Sequence, residues 1–393
     1  MTAMARLRVL LDPVARMLRA SPLASRWWAR YRTWRLEADA RRIMARGNGQ
    51  ANRLPVGVVY ESTMRCNLHC EFCYVGSLLN IEGEWRQELP LEMIKRAFPD
   101  QDGLQISLTG GEIFVRKDII STLELFRDKG YVCGYLTTNG TSITEERAEA
   151  LASLATRGFL KHISVSIDGP PEVHDVARGA KGTFERTARG LKRLQDAAKR
   201  TGAPLRVSIN TTVAAESIDA LDQMGDIAGS LGVDAIGLNH LMYSTRDEVD
   251  ETLRLVGSTN PGVIATFVTP NPGVTPEQVR TKVKALQEKC RQRGIKFDVR
   301  PKVWPETTDA YYTAGSPIEG RCLYPFRHAR VGFSGKVYFC PFIRVEVGDL
   351  TTQTLEQAWN SERYTQLRKT LLEHKLFPVC RRCCKVELAR PVT

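Results

Sequence analysis

Residues 56–73 read VGVVYESTMRCNLHCEFC, an apolar run with three cysteines spaced CxxxCxxC directly behind it. The run at 56–60 predicts a short strand, and the chain repeats that theme as far as residue 242. A helical stretch at 91–98 follows, then strand-like 104–108 with helical 119–129, and strand-like 131–137 with helical 145–157. Strand-like 162–167 precedes helical 184–199, strand-like 205–213 precedes helical 218–231, and 235–241 closes the series. Six strands alternating with five helical segments are the signature of parallel βαβ units, hence an α/β fold. Such a sheet presents its chemistry on the loops that follow the carboxyl ends of its strands. The three cysteines stand on the first of those loops.

Around this block the chain is less regular. Residues 243–321 contain Pro261, Pro270 and Pro272 and read as a bridging and lid segment, with a helix at 275–293 and a strand at 296–300. Residues 322–393 form a small C-terminal domain that begins and ends in cysteine. With 42% hydrophobic residues the 393-residue chain can bury a sizeable core. No run approaches the ~18 apolar residues of a membrane span. The net charge of +12 is concentrated in the first fifty residues, which hold eleven arginines against three acids. The body is nearly balanced, which argues against a nucleic-acid surface.

Residues 1–54 read as a basic helical arm. Asp12-Pro13 and Ser21-Pro22 mark two helix starts, and Trp27, Trp28, Tyr31 and Trp34 interleave with arginines. This pattern suits either packing on the body or peripheral membrane contact through residues 1–46. The N-terminus has no secretory features, and clustered cysteines favour metal ligation in a cytoplasmic chain over disulfides.

Three thiolates on one short loop hold three irons of a four-iron cluster and leave the fourth without a protein ligand. An open coordination position marks a catalytic rather than a structural metal centre. A zinc knuckle, with His69 as fourth ligand, is the competing reading.

The triad, with Phe72 just before its last cysteine, resembles that of the radical S-adenosylmethionine (radical SAM) superfamily, and the resemblance extends over roughly residues 55–242. Thr109-Gly110-Gly111-Glu112, after the second strand, is similar to the family's motif that receives the methionyl amino group. Paired glycines permit close backbone approach to a ligand, and a carboxylate accepts from an ammonium. Asn139 after the third strand, Ser166 on the fourth and Arg178 beyond it resemble the family's polar contacts to the ribose and carboxylate of S-adenosylmethionine. The resemblance implies a partial (β/α)6 TIM-like barrel, a 4Fe-4S cluster, S-adenosylmethionine, and an external electron donor such as flavodoxin or ferredoxin. Its chemistry is reductive cleavage of S-adenosylmethionine to a 5′-deoxyadenosyl radical that takes hydrogen from a substrate. No residue stands out as a catalytic acid or base.

Cys322, Cys340, Cys380, Cys383 and Cys384 resemble the SPASM/twitch extensions of such enzymes, which bind auxiliary iron–sulfur clusters. Five cysteines favour the single-cluster version, an auxiliary 4Fe-4S cluster on Cys322, Cys340, Cys380 and Cys383. Cys384 then either replaces Cys383 or remains a spare thiol. A tetrathiolate zinc site is the alternative. Cys133 reads as core filling and Cys290 as an incidental helix residue.

Three functions compete. The first is oxidation, epimerisation or carbon–carbon bond formation on a small-molecule or lipid substrate. The second is maturation of a ribosomal peptide, and the third is non-catalytic, metal-stabilised binding. The open-site triad with its GGE neighbour argues against the third. The two-helix arm lacks the pattern of a peptide-leader recognition domain, which argues against the second. Tyr243, Asp309, Tyr311, Tyr312 and Tyr324 are expected near the barrel mouth, as substrate contacts or as packing.

Overall fold

The computed structural model describes residues 38–389. The helix starts at Asp12 and Ser21 and the Trp/Arg stripe lie outside the described residues. Residues 38–46 are helical and stop at Gly47, where φ is +67°. The chain divides into two compact units, Met1–Asn48 and Gly49–Thr393, and the second carries the site.

The six expected strands form: β1 (Gly57–Thr63), β2 (Gln105–Gly110), β3 (Val132–Thr138), β4 (His162–Ser166), β5 (Arg206–Thr212) and β6 (Ala235–Asn239). They lie side by side in chain order, all parallel. Helices Leu91–Ala97, Ile119–Asp128, Glu145–Thr156 and Thr183–Thr201 fall between them as expected. The helix expected at 218–231 instead splits into a 3-10 turn, Ile218–Gln223, and an α-helix, Met224–Ser230. Lys282 holds the tighter turn by donating to the Asp219 carbonyl (2.6 Å) and pairing with Asp222 (2.8 Å). That distant contact leaves no trace in local periodicity.

The remaining strands extend this sheet more than the sequence suggested. The pair β7 (Tyr243–Ser244) and β8 (Phe267–Val268) stands apart, whereas β9 (Lys296–Arg300) joins the main sheet in parallel with β6. Further on, β10 (Gly320–Arg321) pairs with β14 (Glu387–Leu388). On the other flank β11 (His328–Val331) runs parallel to β1, followed by antiparallel β12 (Lys336–Tyr338) and β13 (Glu346–Asp349). The cysteine-rich C-terminal stretch is thereby hydrogen-bonded to the barrel strands in one ten-stranded sheet. The helical run at 355–372 is two helices, Leu355–Trp359 and Glu362–His374, because Ser361 caps the second by accepting from the Tyr364 amide (3.2 Å).

Strand alternation separates two faces. Ile106, Leu108, Leu136, Ile163, Val165, Ile209 and Leu238 are fully buried in the hydrophobic core. The opposite face is polar and bonds across strands. His162 Nε2 meets Ser208 Oγ at 2.7 Å, Ser208 donates to Ser164 (3.2 Å), and Asn239 donates to Asn210 (2.8 Å). Burial lowers the His162 pKa to about 4, so the ring is neutral near pH 7. Cys133 and Cys290 are both buried, the latter on the helix Pro276–Gln292. No helix among the described residues is long and apolar enough to cross a membrane.

Candidate functional site

The loop after β1 is anchored before it reaches its cysteines. The amides of Gly111 and Glu112 donate to the carbonyls of Thr63 and Arg65, both at 2.9 Å. Arg65 forks onto Glu88 at 3.0 and 2.8 Å. Asn80, in the left-handed region at φ +57°, clamps Cys66 by accepting from its amide (2.9 Å) and donating to its carbonyl (3.0 Å). The glycine pair also serves the chain itself. A methyl group on Gly110 would lie 1.9 Å from the Thr63 carbonyl oxygen, and one on Gly111 2.2 Å from that of Arg65. The cysteine loop therefore packs closely on the strip, and both glycines also line the cavity beside the cysteines.

Cys66, Cys70 and Cys73 are half-buried and line one cavity of about 190 Å³ with Thr109–Glu112, Asn139, Ser166 and Arg178. Burial pushes the Cys66 thiol up to about 11 and raises those of Cys70 and Cys73. Thiols held neutral in this way ionise when a metal replaces their protons. Phe72 lies beneath the Arg178 guanidinium, 5.4 Å from ring to Cζ. A second, larger cavity of about 510 Å³ adjoins it, sharing Leu68, Cys70, Cys73, Tyr74 and Leu79 and reaching Thr266–Val268.

The polar residues of the first cavity are tied to one another. Glu112 is buried and accepts from Thr138 Oγ1 (2.7 Å), the Asn139 amide (2.6 Å) and the Phe114 amide (3.1 Å). Burial nonetheless outweighs these bonds and raises its pKa. Asn139 donates to Asn67 (2.9 Å), which joins the third-strand loop to the cysteine loop. Arg178 is not a free fork. It pairs with fully buried Asp168 at 2.5–2.6 Å, and its Nη1 approaches Cys70 Sγ at 3.6 Å. Asp168 also accepts from the Thr212 amide (2.9 Å), so one carboxylate braces the ends of β4 and β5.

In the C-terminal stretch Cys322, Cys340, Cys380 and Cys383 are buried and line one small cavity together with Tyr324 and Phe342. Cys384 is half-buried, does not line that cavity, and donates its amide to Met242 Sδ (3.4 Å). Among the described residues no group of three or more His, Cys, Asp or Glu is placed to hold a single metal ion. The buried Tyr324 hydroxyl has no partner among the described residues, so an acceptor in the cavity would satisfy it.

Tyr243, Tyr311 and Tyr312 line neither cysteine cavity and are packing residues. The Tyr243 hydroxyl donates to the Tyr311 carbonyl (2.7 Å), and Tyr312 meets His240 Nδ1 at 2.6 Å. Asp309 pairs with Arg280 at 2.7 Å on the surface. Asn67, Asn80 and Asp168 support the site without having been singled out, and so does Glu61, which binds Arg330 and Arg344. Glu61 and Asn67 lie inside the stretch 56–73 and Asp168 two residues beyond Ser166, but no local pattern marks their partners.

Residues 60–224 match the family model of the radical SAM superfamily, and residues 322–384 match SPASM, an iron–sulfur cluster-binding domain. The chain is 32% identical over 203 residues to the Fe-coproporphyrin III synthase of Methanosarcina barkeri, covering 50% of this chain but only 47% of that protein. It is 26% identical over 326 residues to the AdoMet-dependent heme synthase of the same organism, covering 79% of this chain and 84% of that one. Among solved structures, Streptococcus suis SuiB bound to its precursor peptide SuiA aligns with a TM-score of 0.56 at 15% identity, covering 84% of this chain and 70% of that one.

Proposed function

Because this chain belongs to the radical SAM superfamily, as an enzyme with a C-terminal SPASM iron–sulfur region, we propose that it activates a carbon–hydrogen bond of a small polar molecule at the cavity beside Cys66, Cys70 and Cys73. Radical SAM domains bind a 4Fe-4S cluster and S-adenosylmethionine, which together supply the 5′-deoxyadenosyl radical, and SPASM domains bind auxiliary clusters. The observation that carries this reading is convergence. Three loop thiols, the Thr109–Glu112 strip, Asn139, Ser166 and Arg178 all open onto one cavity.

The chain's own residues divide the work. Cys66, Cys70 and Cys73 would hold the first cluster, which would supply the electron that cleaves S-adenosylmethionine. Glu112 attracts the ammonium, and its three internal hydrogen bonds fix the carboxylate before anything binds. Arg178, locked by Asp168, keeps its positive charge beside Cys70 and its plane over Phe72. Cys322, Cys340, Cys380 and Cys383 hold the auxiliary cluster, and Cys384 stays outside its shell. Burial of these groups keeps bulk water from a reactive centre.

The neutral His162, Ser164, Ser208, Asn210 and Asn239 give the inner strand face hydrogen-bonding groups that suit a polar molecule better than an acyl chain. The heme synthase aligned over most of this chain makes a carboxylate-bearing tetrapyrrole the first substrate to test. The test is substrate-dependent formation of 5′-deoxyadenosine by reduced, reconstituted protein. Iron coproporphyrin is expected to stimulate it at least tenfold over the substrate-free rate, while an unmodified peptide leaves it unchanged. Stimulation by the peptide alone would favour the maturase reading.

A further inference from the structure

A buried charge imbalance sits beside the auxiliary thiols. Glu61 on β1 is fully buried and carries two arginines from the C-terminal stretch. Arg330 Nη2 lies 2.6 Å and Arg344 Nη1 2.6 Å from the same Oε1, and Arg344 Nη2 lies 2.9 Å from Oε2. The side chains are 1%, 5% and 8% exposed in the order Glu61, Arg330, Arg344. Two guanidiniums on one carboxylate leave one positive charge without a counter-charge, with Arg344 resting 4.2 Å over the Tyr338 ring, in a place where an uncompensated charge is costly.

The cluster adjoins the auxiliary thiols through the chain itself. Cys340 Sγ accepts from the Ile343 amide at 3.2 Å, Arg344 is the next residue, and Tyr338 beneath its guanidinium pairs with Arg330 across β12 and β11. Lys385 lines the four-thiol cavity, and Glu387 is paired with Arg321 at 2.8 Å. Tyr324 also lines that cavity, and its buried hydroxyl has no partner among the described residues. The first loop is arranged differently. Cys66 and Glu112 line one cavity, and Arg178, whose Nη1 lies 3.6 Å from Cys70 Sγ, is paired with Asp168.

Local charge, hydrogen bonds to sulfur and burial set the potential of an iron–sulfur centre. Positive charge and a hydroxyl donor favour the reduced, more negative form, and a carboxylate disfavours it. We infer that the Glu61–Arg330–Arg344 cluster and the Tyr324 hydroxyl raise the reduction potential of the auxiliary centre above that of the Cys66–Cys70–Cys73 centre. The inference rests on the proposed function, since it requires both centres to be present.

The experiment is an EPR-monitored redox titration of the anaerobically reconstituted full chain, comparing wild type with Arg344→Gln and Tyr324→Phe. Arg344→Gln removes the surplus charge yet leaves Arg330 and Glu61 as a one-to-one pair. In wild type the auxiliary signal is expected to appear first on reduction. Arg344→Gln is expected to shift its one-electron equilibrium about tenfold toward the oxidised form, or 59 mV. Tyr324→Phe shifts it the same way by about threefold, and it carries the test if Arg344→Gln fails to fold. In both variants the first centre keeps its potential. Full iron content with an unmoved auxiliary potential, or equal movement of both centres, overturns the inference. A wild type with only one iron–sulfur signal overturns the two-centre reading itself, which iron analysis identifies separately.

Discussion

Glu61→Ala is expected to cost about 3–5 kcal/mol of folding stability, the range for stripping the partner from a buried ion pair. Both Arg330 and Arg344 would remain buried without a counter-charge, and the strand pairing of β1 with β11 would lose the side-chain tie at its end. Equilibrium unfolding in urea at pH 7 measures the loss. Arg344→Gln, which spares one pair, should cost clearly less. The same site predicts an acid limit. Burial pushes the Glu61 carboxyl up, but Arg330 and Arg344 outweigh it and hold the pKa below the ordinary 4.5. A depressed carboxylate contributes its full stability above its unfolded-state pKa and loses it as pH falls through the folded-state value. The wild-type midpoint is therefore expected to fall below pH 4.5, and the Glu61→Ala protein should show a weaker acid dependence.

Gly111→Ala is expected to empty the first iron–sulfur site while leaving most of the fold intact. The added methyl would stand 2.2 Å from the Arg65 carbonyl oxygen and 3.1 Å from Cys66 Cβ, both at the entrance to the cysteine loop. Backbone atoms cannot swing aside as a flexible side chain does, so the turn carrying Cys66 must move. Overpacking of this kind costs about 1–3 kcal/mol. The functional effect is larger, because a ligand displaced by even 1 Å spoils the constellation. Reconstituted variant should hold about half the iron of wild type and form 5′-deoxyadenosine at least about a hundredfold more slowly. A variant with full iron and normal turnover would show that the loop tolerates the shift.

The barrel was legible because each parallel strand has a buried apolar set, such as Ile163 and Val165, spaced from the next by a helix with its own periodicity. The cysteine spacings were legible because ligands on one loop are neighbours in sequence. What escaped was made by tertiary contact. Glu61 meets its arginines 269 and 283 positions away. The strands β11 to β13, three or four residues each, are too short to show alternation. Arg178 stands among the residues named from the sequence, yet nothing local says that it pairs with Asp168. That Gly110 and Gly111 also admit the backbone of Thr63 and Arg65 has no local signal. Tyr243, Tyr311 and Tyr312 take the packing alternative, which sequence does not distinguish from a place at the barrel mouth.

The account depends on three loop thiols holding a cluster whose fourth iron is free to bind S-adenosylmethionine. Anaerobic reconstitution, with iron and sulfide counted and 5′-deoxyadenosine measured after reduction, tests this in wild type and in the triple variant Cys66→Ala, Cys70→Ala, Cys73→Ala. About eight irons and reductant-dependent 5′-deoxyadenosine are expected for wild type, and about four irons with none of that product for the variant. Equal iron in both proteins, or a wild type that carries only zinc and leaves S-adenosylmethionine intact, would contradict it.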